Sequence, residues 1–277
     1  MIALVKKAIC KLIFVSLICT ACALPRSAAF LDENFATLLP SGTQALKKHF
    51  SSTITLSNVN TSLDFYRNLE KTKPIFAFFS PLFTGELPSL LKTYPGIIPI
   101  IIADAATPVQ SFSQKGYSII FDSKQAIQQA VLYFYKQSYN TLEPGILAVI
   151  TDLASIDTLK AEMLDKLSMV SSSTITIEFY SAEDTAIGNT LEQLKQKNIV
   201  YAVICVGDSR LVSLADALVS KPELLAIIQG EPPQTNNKLN TRFTYMYWDL
   251  AKTLGTVKFS KTIDRWIHIE GVWKIGK

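Results

Sequence analysis

Short runs of apolar residues, bounded by turn residues, alternate along this chain with stretches whose apolar positions recur at three- and four-residue spacing. That alternation is the pattern of a parallel sheet flanked by helices. Strands are expected at Phe35–Leu39, Thr53–Leu56, Pro74–Phe79, Ile98–Ala103 and Tyr117–Phe121, with helices over Thr43–Phe50, Leu63–Glu70 and Glu86–Thr93. Pro74–Phe79 is nearly all apolar, as a strand covered on both faces must be. Pro88 falls in the first turn of its helix, where a missing N–H costs little. Asp122-Ser123 caps a long helix through Tyr135, and Ala126, Ile127, Ala130, Val131, Phe134 and Tyr135 give it one buried face.

The pattern then starts afresh. Strands are expected at Ile146–Ile150, Thr174–Phe179, Tyr201–Val206 and Leu224–Ile228, separated by helices near Ile156–Leu167, Thr185–Lys197 and Arg210–Val219. Asp184, and Asp208 or Ser209, stand where N-caps belong. Two such series imply two α/β lobes of similar size. Gln229–Asn240, with Pro232, Pro233, Asn236 and Asn237, reads as a surface loop. Beyond it come a strand at Phe243–Tyr247, a helix at Asp249–Gly255 and closing strands at Trp266–Ile269 and Gly271–Ile275. A strand, helix and strand after two finished lobes suggest a chain that passes back between them and ties a hinge.

With 277 residues, 48% hydrophobic and 18% charged, the chain can bury a large core, which excludes disorder as its main account. Its N-terminus has the parts of a secretory leader over residues 1–23: Lys6, Lys7 and Lys11, the apolar run Leu12–Cys19, and the small residues Ala21-Cys22-Ala23. The run falls short of the roughly 20 apolar residues of a spanning helix, and an uncleaved anchor is the alternative to export. Two processing points are open, a cut after Ala23 or a bacterial lipoprotein box in which Cys22 becomes the acylated first residue. Without the three leader lysines, 24 basic residues face 23 acidic ones. Binding to nucleic acid then has no electrostatic basis. Cys205 lies in an apolar run and reads as a small buried hydrophobe. The expected location is the periplasm or cell envelope, with a membrane tether through Cys22 in the lipoprotein case.

Four stretches resemble type I periplasmic solute-binding proteins, whose fold is shared with the ligand-binding domains of LacI-type repressors. Ile98-Pro99-Ile100-Ile101-Ile102-Ala103-Asp104 is similar to the family's strand ending in aspartate. Phe121-Asp122-Ser123-Lys124-Gln125-Ala126 resembles the capped helix that opens the second lobe, and Leu194–Cys205 the stretch before the ligand-facing turn at Gly207-Asp208. Thr256-Val257-Lys258-Phe259 followed by Trp266–Ile269 resembles the terminal extended segment. The resemblance implies two Rossmann-like α/β lobes with parallel sheets, joined by a hinge that the chain crosses more than once. It divides the chain into an N-terminal lobe of 30–122 plus 246–264 and a C-terminal lobe of 123–245 plus 265–277. It departs at Ala105, where the family's sugar binders carry an arginine, and at Gln229-Gly230-Glu231, a thinned version of the family's acidic turn.

Independently of any family, ligands of open parallel sheets bind outside the carboxyl ends of the strands. That rule selects Ser41, Asn58, Ser80 and Asp104 in the first lobe, Asp152, Asp208 and Gln229 in the second, and Trp248 at the crossover. Aromatic faces would sandwich the ligand and carboxylates would accept its protons. Each residue has a structural alternative: Ser41 and Asp208 as helix caps, Tyr247 and Trp248 as core. Phe76, Phe78 and Phe79 are expected in the core, because one strand cannot aim all three at a ligand.

His49 and His268 have no neighbouring ligand set at metal spacing, and no Gly-x-Ser-x-Gly elbow or phosphate loop occurs, so neither catalysis, a cofactor nor a metal is expected. The resulting expectation is a monomeric, exported solute receptor. It would capture a small polar or aromatic molecule and present it to an ABC permease or sensor. The alternative is an envelope lipoprotein that uses the same fold to contact a protein, as activators of cell-wall synthases do.

Overall fold

The computed structural model describes residues 24–57, 61–103, 115–138, 145–151, 175–181, 200–205, 226–231 and 244–276, with isolated positions at 161, 192 and 196. These residues form two compact units. Among them, the first unit takes the chain up to Ala103, residues 115–119 and Leu250–Ile269; the second takes Ile120–Asp249 and Glu270 onwards. The chain thus passes between units after Ile119, after Asp249 and after Ile269.

The first unit contains β1 (Leu24–Asp32), α1 (Glu33–Leu38), α2 (Pro40–His49), β2 (Phe50–Leu56), α3 (Thr61–Thr72), β3 (Phe76–Phe79), a 3-10 turn at Pro81–Glu86, α4 (Leu87–Thr93) and β4 (Ile98–Ala103). β5 (Gly116–Ile120), α6 (Leu250–Gly255) and β11 (Trp266–Glu270) complete it. Its strand order is β11-β5-β4-β3-β1-β2, with parallel pairing of β1 to β2, β1 to β3 and β3 to β4. The second unit contains α5 (Ser123–Ser138), β6 (Gly145–Thr151), β7 (Ile175–Ser181), β8 (Val200–Cys205), β9 (Ala226–Gln229), β10 (Thr244–Trp248) and β12 (Trp273–Gly276). Its order is β12-β10-β9-β8-β6-β7, parallel except where β12 pairs antiparallel with β10. Both are doubly wound orders, and each reverses direction once, between β1 and β3 and between β6 and β8.

The opening of the chain differs from the sequence expectation. Phe35–Leu39 is not a strand: it lies within and just after helix α1, and the first strand is β1, which starts at Leu24, upstream of the expected place, and lies in mid-sheet. Asp32 explains the helix. Its Oδ1 accepts the Phe35 N–H at 2.9 Å, the N-cap bond that satisfies one of the free donors of the first turn. Smaller adjustments follow the same logic. Phe50 leaves the expected helix to open β2, and Gln229 leaves the expected loop to end β9, where it pairs with Met246. The helices expected at Ile156–Leu167, Thr185–Lys197 and Arg210–Val219 lie outside the described residues.

Both faces of the first sheet are covered. β3 and β4 are buried at every position. Alternation along β3 sends Phe79 to one face, where it stacks on Phe30 at 5.6 Å, and Phe78 to the other, where Phe35 and Phe50 lie 6.0 Å away. On the Phe79 face, Phe65 and Leu69 of α3 and Leu87, Leu90 and Leu91 of α4 close the core. Each such side chain contributes about 1.5–3 kcal/mol on burial. In the second unit, all six apolar positions expected on one face of α5 are buried. Among the described residues no helix is long and apolar enough to cross a membrane.

The passages are anchored by close packing on glycine. In the first unit the returning helix α6 sets Leu250 against α2, where a Cβ on Gly42 would stand 2.9 Å from the Leu250 Cδ1. In the second unit Gly271 donates its N–H to Ile120 at 2.8 Å, and Asp249 donates to Val272 at 2.7 Å. A Cβ on Gly271 would lie 2.4 Å from the Phe121 ring, which is itself stacked on Trp248 at 4.7 Å. The ring has no room to yield. Gly271→Ala should therefore destabilise the protein by about 1–3 kcal/mol, read as a lower urea midpoint; a midpoint equal to that of the parent protein would contradict this packing.

Candidate functional site

In an open parallel sheet, the crevice where strand order reverses gathers loop ends and helix N-termini at the carboxyl edge. In the first unit this point lies between the ends of β1 and β3, and it is occupied by Asp32 and Ser80. Both are buried. The Ser80 hydroxyl donates to Asp32 Oδ2 at 2.6 Å and accepts the Asp32 N–H at 3.0 Å. With Phe35 N–H on Oδ1, the carboxylate is held on both oxygens by its own chain. Sequence selected Ser80 for this edge, and the structure places it there, turned inward onto Asp32. Asp32 itself was missed. Its signal is a small-residue apolar run, Ser27-Ala28-Ala29-Phe30-Leu31, ending in an aspartate that is followed by Glu33 and a buried Phe35.

What this edge shows to solvent is partly apolar. Leu38 follows β1, Leu63 follows β2 and Leu82 follows β3, three neighbouring strands, and these leucines are 42%, 62% and 56% exposed. Glu33, Asn34 and Thr37 on α1 are also exposed. Ser41 is exposed in the first turn of α2 and does not cap that helix; the N-cap position is Leu39, which makes no side-chain cap bond. Asn58, Asp104, Asp152 and Asp208, and the lipidation candidate Cys22, lie outside the described residues.

In the second unit, Thr151 ends β6 and is buried. Gln229 ends β9 half-buried, and Gly230 follows with φ 139, a conformation that suits glycine, and donates its N–H to Met246 at 2.8 Å. Trp248 ends β10 on the same edge. The register pairs it directly with Trp273 of antiparallel β12, so both rings stand on one face of the sheet. Phe121 stacks on Trp248 with an interplanar angle of 17° and meets Trp273 edge-on at 5.8 Å. Trp248 is therefore neither plain core nor a bare platform: one of its faces is backed by Phe121, and the residue stays half-buried.

The electrostatics of this corner are acidic with one engaged cation. Lys274 Nζ sits 5.6 Å from the Tyr247 ring centroid, and its ammonium is held above the ordinary lysine range chiefly by the Tyr247 hydrogen bond, with help from Asp249 and Glu231. On β7, Tyr180 is pushed up to about 12 by burial and by its hydrogen bond to Glu178. Burial, then Lys48, pushes the His49 imidazole below its usual value, and His268 is exposed. Among the described residues no group of three or more His, Cys, Asp or Glu side chains could hold a metal ion.

This architecture is that of type I periplasmic binding proteins and of LacI-type ligand-binding domains. Solved structures similar to it include an ABC transporter solute-binding protein from Burkholderia graminis C4D1M in complex with D-arabinose, at 14% identity and TM-score 0.51, over 92% of this chain and 96% of that one. A LacI transcriptional regulator from a Rhodococcus species aligns at 12% identity and TM-score 0.53, over 90% and 96%. A carbohydrate transporter solute-binding protein from Chloroflexus aurantiacus in complex with D-glucose aligns at 12% identity and TM-score 0.51, over 90% and 92%. At such identities the likeness is one of fold. No family model matches the sequence, and no curated protein matches it.

The Asp32–Ser80 closure makes a definite prediction. Ser80→Ala leaves a buried N–H and a buried carboxylate oxygen without their partner, a loss of about 1–3 kcal/mol measurable by urea denaturation. An unchanged unfolding midpoint would show that the closure contributes nothing.

Proposed function

We propose that this protein is an exported, non-catalytic receptor that captures a small polar or aromatic solute at a carboxyl edge of its sheets and presents it to an ABC-type permease or sensor. One observation carries the reading: the same doubly wound order is built twice in one chain, and each sheet has a reversal point of the kind at which small ligands bind. The similar solved structures are binding proteins and regulators, two of them in complex with D-arabinose or D-glucose. The leader over residues 1–23 supports export, and Cys22 supports a lipid tether outside the cytoplasm. Ala105 in place of the family's arginine argues against a ribose-type grip. Population shift toward a liganded form would supply the signal that a permease or sensor reads.

A second reading, an envelope lipoprotein that contacts a protein, is favoured by a different observation. The reversal point of the first sheet is closed by Asp32 and Ser80, while Leu38, Leu63 and Leu82 face solvent along the same edge. Apolar groups gathered on one edge suit a protein partner.

A thermal-shift panel separates the two. D-arabinose, D-glucose, adenosine, uridine, L-leucine and acetate are each added at about 1 mM, roughly 100 times the Kd of a tight solute receptor. At that saturation the receptor reading expects at least one solute to stabilise the fold by about 2.7 kcal/mol, a rise in Tm of about 5–10 °C. A flat response to all six, with a membrane or cell-wall protein recovered by cross-linking in its place, would favour the second reading.

A further inference from the structure

We infer that the indole N–H groups of Trp248 and Trp273 form a donor pair that receives an uncharged oxygen, a hydroxyl or carbonyl, of the captured solute. The inference rests on the receptor reading above and adds the part of the site that fixes ligand chemistry. Both indole nitrogens are buried, and neither has a hydrogen-bond partner among the described residues. Trp273 is only 8% exposed. Buried donors in folded proteins are paired in the great majority of cases, to protein or to ordered water, so two donors in one cluster without a partner among the described residues call for a further acceptor, the role assigned here to the solute.

Their position supports the assignment. Trp248 and Trp273 are cross-strand partners with ring centroids 6.3 Å apart, at the carboxyl edge of the second sheet. Phe121 packs on both rings, and the close approach of Gly271 fixes Phe121 in turn. The donors are thus held before any ligand arrives, and binding need not spend free energy ordering them. The acceptor's class follows from the surroundings. Asp249 succeeds Trp248, Glu231 lies just beyond the end of neighbouring β9, and the cation beside them, Lys274, is hydrogen-bonded to Tyr247. An anion would meet this acidic corner at a cost, whereas an uncharged oxygen accepts from indole without it.

Tryptophan occurs only three times, at Trp248, Trp266 and Trp273, which makes the indole N–H signals of the full chain directly readable by NMR. Signals are assigned with Trp248→Phe and Trp273→Phe, which keep a ring and remove the donor, and the parent protein is titrated with the same six compounds. A neutral probe that raises Tm should move both the Trp248 and Trp273 signals, leave Trp266 in place, and bind about fivefold to tenfold more weakly to each Phe variant. Acetate should move neither signal. Should a probe raise Tm while both signals and both variant affinities stay unchanged, the donors hold a structural water and this inference falls, with the receptor reading intact. A shift of both signals by acetate alone would overturn the uncharged class. No response of Tm or of either signal to any probe would overturn the inference together with the receptor reading. The parent-protein titration keeps the test decisive even if a Phe variant fails to fold.

Discussion

A parallel strand with neighbours on both edges and layers on both faces must bury the length that is so covered, and in this protein that requirement falls on Ser27–Asp32 of β1. β1 pairs with β2 along one side and β3 along the other. Ala28 and Phe30 enter the core shared with α3 and α4, while Ala29 and Leu31 are buried on the opposite face. The strand is irregular only near its start, where the register to β2 shifts between Leu24 and Ala28 and Arg26 adopts φ 51. Ser27 and Ser51 bridge that gap: Ser27 N–H donates to Ser51 Oγ at 2.9 Å, and Ser51 N–H returns a bond to Ser27 Oγ at 3.0 Å. Helix α1, the reversal point and the Asp32–Ser80 closure all descend from where this strand ends.

The same strand shows where sequence reading stopped. The leader was read over residues 1–23 and no element was assigned to Leu24–Asp32, whose apolar run is broken early by Pro25 and Arg26. Phe35 was therefore the first strand candidate, although Asp32 and Glu33 ahead of it are helix-start residues. By contrast, α5 was legible in full, since Ala126, Ile127, Ala130, Val131, Phe134 and Tyr135 repeat at helical spacing with Asp122 ahead of them. Asp122 Oδ1 does accept the Lys124 N–H, at 2.8 Å. The placement of Phe76, Phe78 and Phe79 in the core was legible for an equally local reason, the period of two along a strand. At the site, the carboxyl-edge rule located Ser80, Gln229 and Trp248 but not what their side chains do. Whether a hydroxyl faces a ligand or a neighbouring aspartate depends on which strands adjoin. Trp273 became a partner of Trp248 only through antiparallel register, a pairing between residues 25 positions apart that no local pattern encodes.

The two units solve one problem in matching ways. Each must take the chain back after it has already closed a sheet, and each does so with an apolar side chain set against a glycine: Leu250 on Gly42 and Trp266 on Gly116 in the first, Phe121 on Gly271 in the second. Tyr117 adds a polar tie in the first unit, its hydroxyl accepting the Ser260 N–H at 2.7 Å. These contacts hold the returning segments in fixed register with the sheet, so the tryptophan pair at the end of β10 and start of β12 belongs to a rigid frame.

Native-state hydrogen exchange resolved by residue tests the central position of β1 most directly. If the first unit is built on this strand, the amides of Ala28, Ala29, Phe30 and Leu31 exchange only through global opening of that unit, with protection equal to that of β3 and β4. Exchange of those four amides at the rate of fraying termini, while β3 and β4 remain protected, would place β1 outside the core and contradict the account.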